Sequence, residues 1–181
     1  MQQTLVRLQR YEMVMCQLLS RLQRVRLSRD IFVAASRLGD GVLWYALMAG
    51  ILIFQGVSSA VVVAHMAATG LVATLIYSLI KRSTRRLRPY EADPQLMPAT
   101  PALDRYSFPS GHTLHAVCFS LLAIAYFPAL ALWLVPAVIL IASSRVVLGL
   151  HYPTDVIAGG LLGFALAQIS LVFVEWVQMY F

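Results

Sequence analysis

The chain has 181 residues, of which 60% are hydrophobic and 12% charged, with a mean hydropathy of +0.75. An ordinary soluble domain carries about 25% charged residues, so most of this chain is expected to have lipid as its solvent. A net charge of +6 would suggest nucleic acid on a soluble protein. Here the basic residues flank apolar runs, which points instead to membrane topology, anionic headgroups or a phosphate site.

Residues 1–30 mix Leu, Val and Met with six arginines. The longest uncharged run, 13–20, is too short to cross about 30 Å of hydrocarbon, and the segment is expected to be an amphipathic helix lying in the interface. No apolar core of leader length follows Arg7 and Arg10, so no cleaved leader is expected. The remainder, 31–181, is read as one transmembrane bundle. Its first span, 41–54, extends back toward Ile31. A tight hairpin at 55–59 leads to a second, uncharged span at 57–80. A proline-rich polar loop follows and ends at Gly111. The third span is 112–127 and the fourth 129–143. A short connection of 145–153 leads to the fifth span, 154–174, with Trp176 and Tyr180 as interfacial anchors. Gly159, Gly160 and Gly163 lie on it at spacings that allow close helix approach. The expected fold is an all-α polytopic bundle of about five spans plus the interfacial helix. Cys16 and Cys118 form neither a metal motif nor a disulfide framework and are read as small packing residues.

Five spans put the N-terminal segment, the 81–111 loop and the 145–153 connection on one face. All fourteen Lys and Arg residues fall there. Three motifs share it: Lys81 to Pro89, Ser107 to Thr113, and Ser144-Arg145 followed by His151 and Asp155. Lys81, Arg88 and Arg145 are cations suited to phosphate, by point charge or planar fork. Ser110 and Gly111 precede a helix whose first N–H groups attract anions. With Pro153 at a first helical position, Asp155 falls in the first turn, where it can bond one ring nitrogen of His151. This set suits phosphoryl transfer without a metal or other cofactor. Fixed cations stabilise the equatorial oxygens, one neutral His attacks, and a second donates a proton to the leaving oxygen. Each motif alone has a plainer explanation as a topology signal or helix-end contact. Their joint occurrence on one face favours the functional reading.

The pattern Lys-x6-Arg-Pro, Pro-Ser-Gly-His, Ser-Arg-x5-His-x3-Asp resembles the signature of the type 2 phosphatidic acid phosphatases, the PAP2 superfamily. Every signature position is matched. The resemblance implies metal-independent hydrolysis of a phosphomonoester or diphosphate, with His151 as nucleophile, Asp155 as its partner and His112 as general acid. Lys81, Arg88, Ser110, Gly111 and Arg145 would hold the phosphate. With this composition, the expected substrate is a phosphorylated lipid, such as phosphatidic acid, phosphatidylglycerol phosphate or a polyprenyl diphosphate. Transfer to an acceptor lipid and a non-catalytic lipid-binding role are the alternatives. The chain is expected in the cell inner (plasma) membrane. Charge asymmetry favours a cytoplasmic active site; many bacterial members of the family face the periplasm, which is the alternative.

Beyond the signature, His115 is read as a packed residue and His65 as an interhelical hydrogen-bond partner. Asp40 is expected to pair with Arg37. Arg82, Arg85 and Arg86 are read as headgroup or topology charges, and Tyr90, Glu91 and Tyr106 as candidates to line the entry.

Overall fold

The computed structural model describes residues 2–180, and the side chains of residues 7–179. Helix α1 (Gln2–Ser20) passes through a 3-10 turn, Arg21–Arg24, to an extended residue, Val25, and α2 (Arg26–Arg37) starts there. A wide π-type turn at Leu38–Val42 carries α2 into α3 (Leu43–Gln55). Gly41 interrupts the turn at φ 128°, a backbone conformation that favours glycine. The break between the first helix and the apolar stretch that follows falls at Val25 rather than at Asp30. The first stretch long and apolar enough to span begins at Arg26 and carries Arg29 and Asp30 in its first turns, charges that a search for uncharged runs treats as a boundary.

Gly56, at φ 75°, stops α3, and a 3-10 turn at Val57–Ser59 closes the hairpin into α4 (Ala60–Thr84). Helix α4 runs one turn past Ile80, so Lys81 lies on the helix. The short helix α5 (Pro89–Ala92) opens the following loop. Helix α6 (Gly111–Tyr126) is joined through the Pro128 turn to α7 (Ala131–Val147), and α8 (Pro153–Tyr180) closes the chain. Helix α7 also outruns its expected end and carries Arg145 in its last turn, where the helix dipole favours a cation.

Among the described residues, four stretches are long and apolar enough to cross a bilayer: Arg26–Gln55, Val57–Ala92, Pro128–Val147 and Pro153–Met179. Helix α6 is apolar but shorter. It is also the centre of the bundle, contacting α4, α7 and α8. Leu114, Ala116, Cys118, Leu122 and Ala123 are each 0% exposed. Glycines on α8 permit this packing. A Cβ added at Gly159 would lie 2.4 Å from the Ser110 carbonyl oxygen, and one at Gly163 2.3 Å from that of Leu114. The outer wall is the reverse of the core, with Phe54, Leu132, Trp133, Ile157 and Phe173 exposed. In water such a surface would drive association; in a bilayer it is the solvated face. His65 meets Tyr126 across helices at 2.8 Å. The side chain of Tyr180 lies outside the described residues.

Candidate active site

The ends of α4 and α7 and the starts of α6 and α8 meet at one end of the bundle, and the turns between them carry the polar chemistry. His151 lies in the turn from α7 to α8 and is 1% exposed. Its N–H and that of Leu150 both donate to the Arg145 carbonyl at 3.0 Å. Nε2 of His151 is 3.2 Å from Nη1 of Arg88. Arginine only donates, so Nε2 is the unprotonated nitrogen and Nδ1 carries the proton. Burial pushes the His151 imidazole well below its ordinary pKa, and Arg145, Arg88 and Lys81 push it the same way. The ring is neutral, with its lone pair turned toward the cations.

Asp155 is fully buried beside it, but its Oδ2 stands 3.7 Å from Nδ1, too far for a hydrogen bond. The carboxylate is held from the other side. Oδ2 accepts from the Tyr152 N–H at 2.9 Å and Oδ1 from Arg86 Nη1 at 2.7 Å. Nδ1 of His151 has no hydrogen-bond partner among the described residues. Arg86 is therefore not a headgroup charge. Its guanidinium packs 4.0 Å above the Tyr152 ring centre, and its Nη2 donates to Glu12 of α1 at 2.7 Å. The solvent-exposed neighbours Arg82 and Arg85 keep the reading given above for all three.

The candidate phosphate cations are buried and clustered. Lys81 Nζ donates to both Asp104 oxygens at 2.7 Å and to the Tyr106 carbonyl at 3.1 Å. Arg88, 1% exposed, donates through Nη2 to Asp104 Oδ1 at 2.8 Å and through Nη1 to the Leu150 carbonyl at 2.6 Å. Glu91 accepts from the Arg88 N–H at 2.9 Å, so it caps α5 rather than lining an entry. Arg145, 2% exposed, donates to the Ser36 hydroxyl, and its Nε has no partner among the described residues. Ser110 caps α6 through its side chain, which accepts from the Thr113 N–H, and its own N–H donates to the Asp155 carbonyl at 3.0 Å. The start of α6 is thereby tied to the start of α8, with Gly111 and His112 as the next backbone donors.

Nε2 of His112 bonds Asp40, not Arg37 as the partner of that acid. Gly39 lies directly behind the ring: a Cβ there would sit 3.0 Å from His112 Cδ2. His112, Asp40 and Asp104 line one end of a cavity of about 460 Å³, and Trp44, Met48, Leu71 and Phe119 line its apolar remainder. His115 packs on its wall, stacked on Phe119 with ring centres 5.7 Å apart. Among the described residues, no group of three or more His, Cys, Asp or Glu comes together as a metal site would require.

The PAP2 superfamily model matches residues 60–179, which include all eight candidate site residues. The chain belongs to the PAP2 superfamily. A decaprenylphosphoryl-5-phosphoribose phosphatase from Mycolicibacterium smegmatis is 42% identical over 83 residues, 45% of this chain and 43% of that protein. The alignment thus spans less than half of that relative's length. An undecaprenyl-diphosphatase from Sulfolobus acidocaldarius is 27% identical over 143 residues, 78% of this chain and 68% of that one. The crystal structure of a transmembrane PAP2-type phosphatidylglycerolphosphate phosphatase from Bacillus subtilis superposes with a TM-score of 0.76. It is 22% identical and covers 96% of this chain and 89% of that one, a likeness of fold.

Within this PAP2 domain the three signature motifs converge as their one-sided placement predicts. Four polar partners were not legible: Glu12, Ser36, Arg86 as the partner of Asp155, and Asp104. A signal existed for Glu12, which is the only acidic residue among the first 29 and sits amid six arginines.

Proposed function

We propose that this chain is a multi-pass lipid phosphatase of the plasma membrane that cleaves a phosphomonoester or diphosphate through a phosphohistidine on His151. The observation that carries this reading is the contact of neutral His151 Nε2 with Arg88, inside a cation cluster that adjoins an apolar cavity. A substrate phosphate takes over the Lys81 and Arg88 donors now bound to Asp104, with Arg145 and the first N–H groups of α6 as further donors. Nε2 attacks phosphorus, forming an N–P bond as the P–O bond to the leaving group breaks. Asp155 offsets the charge that develops on the ring. His112 protonates the departing oxygen, with Asp40 fixing its orientation. Water then attacks phosphorus, His112 takes its proton, the N–P bond breaks, and inorganic phosphate leaves.

The lipid tail lies in the cavity between the first span and α4, lined by Trp44, Met48 and Leu71. Names of the relatives direct the substrate search toward polyprenyl phosphates and diphosphates and phosphatidylglycerol phosphate, with phosphatidic acid beside them. The test is phosphate release by purified protein in detergent with EDTA, over that panel, beside His151→Ala. Release by the wild type, abolished in the variant, is expected. Equal release by both would overturn the phosphohistidine. Disappearance of lipid phosphate with label appearing on an acceptor lipid would indicate transfer instead.

A further inference from the structure

Glu12 is 5% exposed although it belongs to the peripheral helix α1. Both of its oxygens are engaged. Oε2 accepts from Arg86 Nη2 at 2.7 Å, and Oε1 accepts from the Thr154 N–H at 3.0 Å and from the Thr154 hydroxyl. Arg86 in turn holds Asp155 Oδ1 at 2.7 Å and Thr154 Oγ1 at 2.9 Å. The chain from α1 to the ring is thus Glu12, Arg86, Asp155, His151. A half-buried arginine that grips the carboxylate of a His–Asp pair sets both where that carboxylate stands and how strongly it acts on the ring. A buried carboxylate that grips the arginine sets the same two things one step back.

We propose that Arg86 and Glu12 are positioning residues for the His151–Asp155 pair, so that α1 is a working part of the active site and not only a surface anchor. The proposal rests on the phosphohistidine reading above. It assigns the two residues opposite electrostatic effects on one ring. Arg86 draws electron density from Asp155 and opposes a proton on His151; Glu12 offsets Arg86 and favours that proton. Other charged and titratable groups face His151 from every side. They are Lys81 and Arg88 with Asp104, Arg145 from α7, His112 from α6, and the Cys16 thiol of α1, whose Sγ lies 3.8 Å from the His151 carbonyl. The single variants leave all of these in place.

The experiment is steady-state phosphate release against pH for wild type, Arg86→Gln, Arg86→Lys, Glu12→Gln and His151→Ala, each confirmed monodisperse. Arg86→Gln and Glu12→Gln should each lower kcat by roughly tenfold or more, the usual cost of loosening a partner behind a reacting group, with KM little changed. The acid limb, where His151 gains its proton, should move to higher pH in Arg86→Gln and to lower pH in Glu12→Gln. Arg86→Lys should recover much of kcat, since it keeps the charge, and it serves if the Gln variant does not fold. Folded variants whose acid limbs coincide with the wild type would overturn the proposal, even if kcat falls, because a purely structural role moves no limb. If His151→Ala releases phosphate as the wild type does, the phosphohistidine reading fails and takes this proposal with it. An inactive His151→Ala beside unshifted Arg86 and Glu12 variants overturns this proposal alone.

Discussion

Asp104 engages through its own two oxygens the donors that a phosphate would need from Lys81 and Arg88. It lies on a loop and is 39% exposed, so it can leave without dismantling the core. Any anion entering the site competes with it. Asp104→Asn, which keeps the shape and removes the charge, should let inorganic phosphate or orthovanadate inhibit at about threefold or more lower concentration, since charge-assisted bonds are the strong ones. An unchanged inhibition constant would mean that the anion binds elsewhere. His151 makes a second prediction at this scale. Its folded pKa lies below the unfolded value, so the folded chain binds fewer protons than the unfolded chain as pH falls beneath about 6.5. The His151 contribution to stability is therefore whole above that pH and lost progressively below it. His151→Asn should flatten the fall in melting temperature between pH 7 and pH 5, as measured by thermal unfolding in detergent. The two cations and the histidine were legible from the signature because their type and spacing suffice. Asp104 was not, because nothing local to it marks the fold of the loop 93–110 back onto α4.

Helices α6 and α8 are in van der Waals contact at their backbones. The nearest atoms to a Cβ at Gly159 are those of the Ser110 main chain, whereas a Cβ at Gly160 would find only side-chain methyl groups, at 3.8 and 3.9 Å. Gly159→Ala must push the two helices apart at the cap of α6, and overpacking of this kind costs about 1–3 kcal/mol. Gly160→Ala adds ordinary contact. The first should lower the melting temperature and the activity together and the second neither; equal behaviour would contradict the backbone contact. The glycine spacing announced a close approach but not that Gly159 and Gly163 make it and Gly160 does not, since that depends on the rotation of α8 about its axis. Element ends were read least well, and for one reason. Lys81, Arg145 and Asp30 are charges that lie on helices, and a search for uncharged runs ends at each of them.

For the whole molecule, the charge distribution bears on which side of the membrane the site faces. Setting aside Lys81, Arg88 and Arg145 still leaves eleven of the fourteen basic residues at the active-site end, and the cytoplasmic side is the expected one. Ala92 is exposed at the end of α5. Ala92→Cys should resist a membrane-impermeant maleimide in intact cells and react once they are opened; labelling from outside would reverse the orientation. The native thiols should not interfere. Cys16 and Cys118 are both 0% exposed, and burial, with Glu12 and Asp155 nearby, pushes Cys16 up to about 12.

The clasp between Glu12 and Thr154 joins residues 142 positions apart. On the ribosome, Glu12 emerges long before its partner, and every span before α8 is inserted in between. Arg86 follows just past the end of α4, but Thr154 comes only with the start of α8, so Glu12 lacks its last partner until the final helix is made. The clasp closes when the start of α8 arrives, which is also when His151 and Asp155 come into place. The last helix of the membrane body and the last residues of the candidate site thus arrive together, and a chain halted between Arg145 and His151 would hold the candidate phosphate cations without the proposed nucleophile.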